Sequence, residues 1–246
     1  MSDAVTARRA LQDLLDTDAR GTRATLPPGF PDAVERYVEL VLAANARVNL
    51  TRIVTPAEVA RLHLLDALSV LPLLDALAPR RALDLGSGGG VPGIVLALAR
   101  PDVSWTLVDS VGRKADAMRG FVDALGLRNV TVIAERAEVL GRDAAYRQQV
   151  DLVAARACAP LPVLVEYALP LIRVGGALVA WKGAVPPDEL TAAQAAAIQL
   201  GGRDPEVVAT DVEALGNHRF VVIRKVGATP DRYPRRPGQP TKRPLG

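Results

Sequence analysis

Between Arg81 and Ile94 a short apolar run breaks into Gly86-Ser87-Gly88-Gly89-Gly90-Val91-Pro92-Gly93, and a second apolar run, Ile94 to Ala99, follows at once. Strand, glycine turn and helix in that order open a nucleotide-binding βαβ unit. Five glycines in eight positions would forfeit much backbone entropy for no return unless the chain had to turn sharply or let a ligand approach its backbone. The next apolar run, Trp105 to Val108, ends in Asp109, about 20 residues beyond Gly88, where a carboxylate is placed to accept hydrogen bonds from ribose hydroxyls.

Two ligands suit such a loop. Gly88-x-Gly90-x-x-Gly93 matches the dinucleotide pattern literally and keeps NAD open. Asp84 favours another reading. A carboxylate inside the strand, two residues before the first glycine, suits a cationic ligand. S-adenosylmethionine offers a sulfonium, an ammonium and a ribose, and no phosphate. Asp84-x-Gly86-x-Gly88-x-Gly90 resembles the first motif of class I methyltransferases, and this reading is preferred to NAD. A glycine turn without a ligand ranks last.

Length and composition fit that picture. The 246 residues allow one large α/β domain with an appendage, or two small domains, and 49% hydrophobic residues supply a core. A single cysteine fits a reducing compartment. The N-terminus has no signal-peptide pattern, and no apolar run reaches the roughly 18 residues of a membrane span, so a soluble cytoplasmic chain is expected. Two histidines and one cysteine argue against a dedicated metal site. Residues 227–246 carry a net +4 against +3 for the whole chain, so the rest is −1. A basic tail beside a near-neutral body suits a polyanionic partner, and equally an idle solvated extension.

Read in order, residues 2–20 hold a short helix, and Gly21 to Pro31, with three prolines and two glycines, form a loop. Asp32 is placed to cap a helix carrying Val34, Tyr37, Val38, Val41 and Leu42 to about Asn45. Thr55, Pro56 and Glu58 spell a capping box for a helix that ends before Pro72. His63 and Asp66 share a face of it, which suits a structural pair or a substrate contact. Strands at 104–109, 129–134, 150–155 and 177–182 then alternate with helices at 111–125, from Glu135 to about Gln148, at 161–172 and at 187–200. Two consecutive strands, 205–212 and 218–226, close the set. The pattern predicts a mainly parallel α/β sheet covered on both faces, with an antiparallel hairpin at one edge. Ligands in such sheets bind at the carboxyl ends of strands. Gly86, Asp109, Glu135 to Glu138, Arg156 and Lys182 all fall there. The chain divides into an N-terminal extension (1–29), N-terminal helices (30–72), a Rossmann-like domain (73–226) and the basic tail (227–246).

Taken together, Asn49-Leu50-Thr51, His63-Leu64-Leu65-Asp66, the glycine segment, Leu107-Val108-Asp109-Ser110, Arg136-Ala137-Glu138, Ala155-Arg156-Ala157, Trp181-Lys182-Gly183 and Arg232 to Gly238 resemble the RsmG (GidB) family. The resemblance runs from Phe30 to the C-terminus. It implies the class I S-adenosylmethionine-dependent methyltransferase fold. It implies methyl transfer from that donor to N7 of a guanine, guanine 527, in bacterial 16S ribosomal RNA. The donor site would comprise Gly86, Val91, Ala137, Glu138 and Arg156, with Asp109 near the ribose and no metal. The partner would be 16S ribosomal RNA or the small ribosomal subunit, with no membrane, and the chain would act as a monomer. The family often has serine after the aspartate of the His-x-x-Asp element. Ala67 stands there here, which removes any role for a hydroxyl.

Guanine N7 carries a lone pair and no hydrogen, so its methylation needs no general base, only near-attack geometry. Methylation of exocyclic amino groups goes with Asn/Asp-Pro-Pro-aromatic after the fourth strand; here that place reads Ala155-Arg156-Ala157-Cys158-Ala159-Pro160. Pyrimidine C5 methylation needs a nucleophilic cysteine, whereas Cys158 reads as a small buried apolar side chain. Arg156 and Lys182 are the candidate catalytic residues. Arg156 would hold the donor and the base, and Lys182 a phosphate or the guanine edge, with a local ion pair as the alternative for each. The tail and Arg224-Lys225 are expected on RNA phosphates. Aromatics make up 4% of the chain, which leaves Tyr233 or Trp181 to stack on a splayed base. A small-molecule methyltransferase and a non-catalytic nucleotide-binding module remain the competing readings.

Overall fold

The computed structural model describes residues 2–18 and 25–246; the part of the expected Gly21–Pro31 loop at 21–24 lies outside the described residues. Helix α1 (Asp3–Asp16) begins under a Ser2 cap and buries Ala4, Ala7, Leu11 and Leu15, the helical stripe of its sequence. Helix α2 (Phe30–Val48) starts two residues before its expected cap. Gly29 takes that position, Pro31 falls in the first turn where its missing N–H costs nothing, and Asp32 faces the helix dipole instead. The helix runs past Asn45 and ends where Asn49 turns left-handed at φ 53°.

The capping-box helix departs most from expectation. Thr55 donates its hydroxyl to Glu58 at 2.6 Å and makes no side-chain bond to the backbone. The first turn, α3 (Pro56–Glu58), passes into a π-helix (Val59–Leu65) and then into α4 (Asp66–Leu68). Wide turns of this kind are frequent at functional sites. Pro72 ends nothing: it sits in the first turn of a further helix, α5 (Leu71–Leu77).

The rest is the predicted alternation: β1 (Arg81–Leu85), α6 (Gly93–Ala99), β2 (Ser104–Val108), α7 (Gly112–Leu125), β3 (Val130–Ile133), α8 (Ala137–Leu140), β4 (Val150–Arg156), α9 (Leu161–Ala168), β5 (Ile172–Lys182), α10 (Pro187–Gln199), β6 (Glu206–Ala209) and β7 (Arg219–Arg224). The seven strands lie in the order β3-β2-β1-β4-β5-β7-β6. The first five are parallel, and β7 inserts antiparallel between β5 and β6. Alternate strand residues serve two cores. Ala82, Leu107, Ala154, Val179 and Val222 face the N-terminal helices. Leu83, Val108, Val153, Leu178 and Ile223 face α9 and α10.

Three expected elements differ. The helix expected over 161–172 is α9, which stops at Ala168, short of Pro170. The polar helix toward Gln148 is only the four residues of α8, followed by turns. Strand β5 starts at Ile172, so Gly175-Gly176 lie within it instead of before it. A Cβ at Gly176 would stand 2.4 Å from the Asp151 carbonyl oxygen, and the register slips there.

Residues 227–246 are packed on the domain. Arg235 donates to both carboxylate oxygens of the fully buried Glu166. Arg147 donates to the carbonyls of Thr229, Pro230 and Tyr233. A short helix, α11 (Gln239–Lys242), reaches back so that Thr241 meets the Tyr167 hydroxyl at 2.9 Å. Arg232, Arg236, Lys242 and Arg243 stay exposed.

Candidate active site

The glycine segment leaves β1 as a loop with left-handed turns at Gly86 (φ 76°), Gly88 (φ 58°) and Gly90 (φ 93°), conformations that side chains strain. The amides of Gly86 and Ser87 both donate to the Val108 carbonyl, at 2.8 and 3.0 Å. Asp109 accepts from the Gly88 amide (2.9 Å) and from the Val111 amide (2.8 Å). It therefore organises the loop, and a ribose would share oxygens that are already engaged. From α2, the buried Tyr37 hydroxyl donates to the Gly89 carbonyl at 2.7 Å. Burial raises that phenol's pKa, so it is a fixed donor.

Beneath the loop Asp84 is 1% exposed. One oxygen accepts from the Gly93 amide at 2.9 Å; the other, Oδ1, is buried without a hydrogen-bond partner. Burial pushes this carboxyl up to about 6. From that buried position the carboxylate anchors the start of α6 behind the loop.

Opposite the loop, Arg156 at the end of β4 is held by the widened helix. One guanidinium nitrogen donates to the Leu62 carbonyl (2.6 Å) and to Asp66 Oδ2 (3.1 Å). The other meets His63 Nδ1 at 3.0 Å. Asp66 Oδ1 meets His218 Nδ1 at 2.9 Å, and the Asp66 carbonyl accepts from the Trp181 indole at 3.0 Å. His63 and Asp66 are thus joined through Arg156 and not to each other. Burial, then Arg156, lowers His63 to about 4, so the ring is neutral.

These walls enclose a cleft of about 680 Å³, lined by Gly86, Gly88, Val91, Arg156, Lys182 and His218 among others. A smaller cavity of about 200 Å³ opens on the other side of Gly86, against Glu135, Ala137, Glu138 and Cys158. The donor-site residues expected from the sequence are brought together around these two spaces, with Asp109 behind the loop. Glu138 is 2% exposed and accepts from the Gly238 amide at 2.8 Å, so the tail braces the smaller cavity.

Lys182, at the cleft rim, forms a local ion pair with Glu189 at 2.7 Å, the alternative its sequence left open. Several expectations need correction. Cys158 is exposed, not part of the core; its Sγ lies 2.8 Å from where a Cβ on Gly86 would stand. Enclosure at that spot, then Asp84, Asp109 and Glu138, push its thiol up to about 11, which suits no nucleophile. Trp181 and Tyr233 are buried, the first edge-on to Phe220 and the second bonded to Gln199, so neither ring is free to stack. Lys225 is 1% exposed and donates to the carbonyls of Leu169 and Leu200 and to the Thr229 hydroxyl, out of reach of any phosphate. The sequence reading missed Tyr37, Asn45 and His218. Tyr37 looked like core, and His218 carries no local signal, since its partner Asp66 is 152 residues away.

A family model described as rRNA small subunit methyltransferase G (GidB) matches residues 31–217. The chain belongs to this family. Proteins named ribosomal RNA small subunit methyltransferase G are 45% identical in Deinococcus deserti, covering 87% of this chain and 88% of the relative. In a Roseiflexus species (strain RS-1) the figures are 41%, 95% and 99%. Among solved structures, the S-adenosylmethionine-dependent methyltransferase SibL in its apo form aligns at a TM-score of 0.56, with 18% identity, over 90% of this chain and 74% of that one. The O-methyltransferase TomG from Streptomyces achromogenes aligns at 0.52, with 18% identity, over 78% and 90%. At such identities the structures speak for the fold alone, and that fold is the class I methyltransferase sheet.

Proposed function

We propose that this member of the rRNA small subunit methyltransferase G family transfers the methyl group of S-adenosylmethionine to N7 of a guanine in 16S ribosomal RNA, guanine 527 in the family's pattern. The observation that carries the reading is the shared cleft: a left-handed glycine loop over the orphan Asp84 oxygen faces Arg156 at the end of the adjacent strand. Gly86, Val91, Asp109, Ala137, Glu138 and Arg156 would hold the donor across the two cavities that meet at Gly86. When bound, S-adenosylmethionine supplies an electrophilic methyl carbon on a cationic sulfur.

The chain's task is placement. The N7 lone pair forms the new C–N bond as the C–S bond breaks; the positive charge passes to the base, and no proton moves. Arg156, fixed by three acceptors, and the loop, fixed by Tyr37, Asp109 and Asp84, keep the two partners in near-attack geometry. Lys182 would leave Glu189 to meet a phosphate or the guanine edge. Arg232, Arg236, Lys242, Arg243 and Arg224 are exposed cations available to RNA phosphates. Glu166 neutralises Arg235 and takes it out of that set.

Small subunits from cells with and without the gene, digested and mapped by mass spectrometry, test the reading. A methyl group on one guanine, present only with the gene and restored by the purified protein, is expected. Identical maps overturn it.

A further inference from the structure

Asn49-Leu50-Thr51 stands out in the sequence, yet the placement of the methyl donor makes no use of the Thr51 hydroxyl, whose oxygen is tied into the fold while its hydrogen is not. We propose that Thr51 reads the target base, donating its hydroxyl hydrogen to O6 of the guanine that presents N7 to the methyl group. This rests on the function proposed above and sharpens it.

Thr51 is rigidly mounted. The Asn45 amide clamps it from both sides, donating to the Thr51 carbonyl and accepting from the Thr51 amide, each at 2.9 Å. The Cβ of its neighbour Leu50 lies 3.4 Å from where a Cβ on Gly89 would stand. The residue is thereby pinned beside the glycine loop, in the cleft it shares with Arg156.

Counting protons fixes what the hydroxyl can do. Arg156 can only donate, so His63 Nδ1, 3.0 Å away, must accept. The ring is neutral, so its one hydrogen is on Nε2, which points at Thr51 Oγ1 at 2.9 Å. The Ile53 amide also donates to that oxygen, at 3.0 Å. A hydroxyl oxygen has two lone pairs and one hydrogen. Both lone pairs are taken, and among the described residues no acceptor receives the hydrogen. Arg156 and His63 thus turn Thr51 into an obligate donor.

The chemistry of purines supplies the matching acceptor. Guanine shows N7 and O6 side by side, both acceptors, whereas adenine shows N7 beside an amino donor. A fixed donor next to the N7 position accepts guanine and meets adenine donor to donor. The same relay ends on Arg156 at the end of β4, which puts the donor beside the reacting position and not out along the RNA.

The test uses small subunits reconstituted with 16S RNA that carries guanine or 2-aminopurine at the target; 2-aminopurine keeps N7 and lacks O6. Single-turnover methylation is measured with the wild type, Thr51→Val and Thr51→Ser. Thr51→Val should be about tenfold slower on guanine, the usual worth of a lost hydrogen bond, and Thr51→Ser should recover most of the rate. The wild type should slow by a similar factor on 2-aminopurine, where Thr51→Val should be no slower still. That wild-type arm needs no variant to fold. Losses that multiply, a wild type indifferent to 2-aminopurine, or Thr51→Val at full rate on guanine overturn this inference alone. A wild type that leaves the guanine unmethylated overturns the function proposed above, and this inference with it.

Discussion

Arg156 and Lys225 look alike in the sequence. Each is a cation at the end of an apolar strand, and each invites a role with ligand or RNA. In the fold Arg156 faces the cleft from the end of β4, whereas Lys225 is sealed among oxygens of Leu169, Leu200 and Thr229. The difference is strand direction. Because β7 runs antiparallel to β5, Arg219 pairs with Lys182 at the cleft rim and Arg224 pairs with Ala177 near the far end. The position after β7 therefore lies at the opposite rim from the site. The lesson is that "end of a strand" marks a ligand site only when the strand is parallel to its neighbours.

The comparison can be broken first at Arg156. Arg156→Lys keeps the charge but cannot fork to Leu62, Asp66 and His63 together. It should lower kcat/KM by about 10²-fold through misplacement of the reacting atoms. Arg156→Ala should go further and also lose about 3–5 kcal/mol of stability, because the buried Asp66 loses its charge partner. Full activity in Arg156→Lys would make the cluster scaffolding only.

Lys225→Met should leave kcat/KM unchanged in folded protein; a large fall would show that the two cations are not so different. A smaller effect sharpens the contrast. Burial, then Arg147, depresses Lys225 from 10.5 to about 7. Between those values the unfolded chain holds a proton that the folded chain does not, so stability rises with pH. Denaturant titrations should show wild-type stability gaining on Lys225→Met from pH 7 to about 10, with the difference level below 7. A difference that stays flat throughout would mean the amine is solvated.

What was legible followed local rules. The glycine loop, Asp84, the alternation of strands and helices and the edge hairpin each announce themselves within a few residues. The rim that gathers Gly86, Asp109, Arg156 and Lys182 then follows from parallel strands. What was not legible depends on partners far along the chain. Arg235 reads as a tail cation because nothing near it announces Glu166, 69 residues back. The π-turn is hidden because its apolar spacing also suits an α-helix. It is nevertheless what sets His63, Asp66 and the Leu62 carbonyl around one guanidinium.

The central claim is that the glycine loop and the carboxylates around it hold S-adenosylmethionine. Equilibrium dialysis of the native chain against the labelled donor tests it most directly. One saturable site per chain, displaced by S-adenosylhomocysteine and untouched by NAD, is the predicted result. A folded protein that retains no donor, or that gives it up to NAD, contradicts the account.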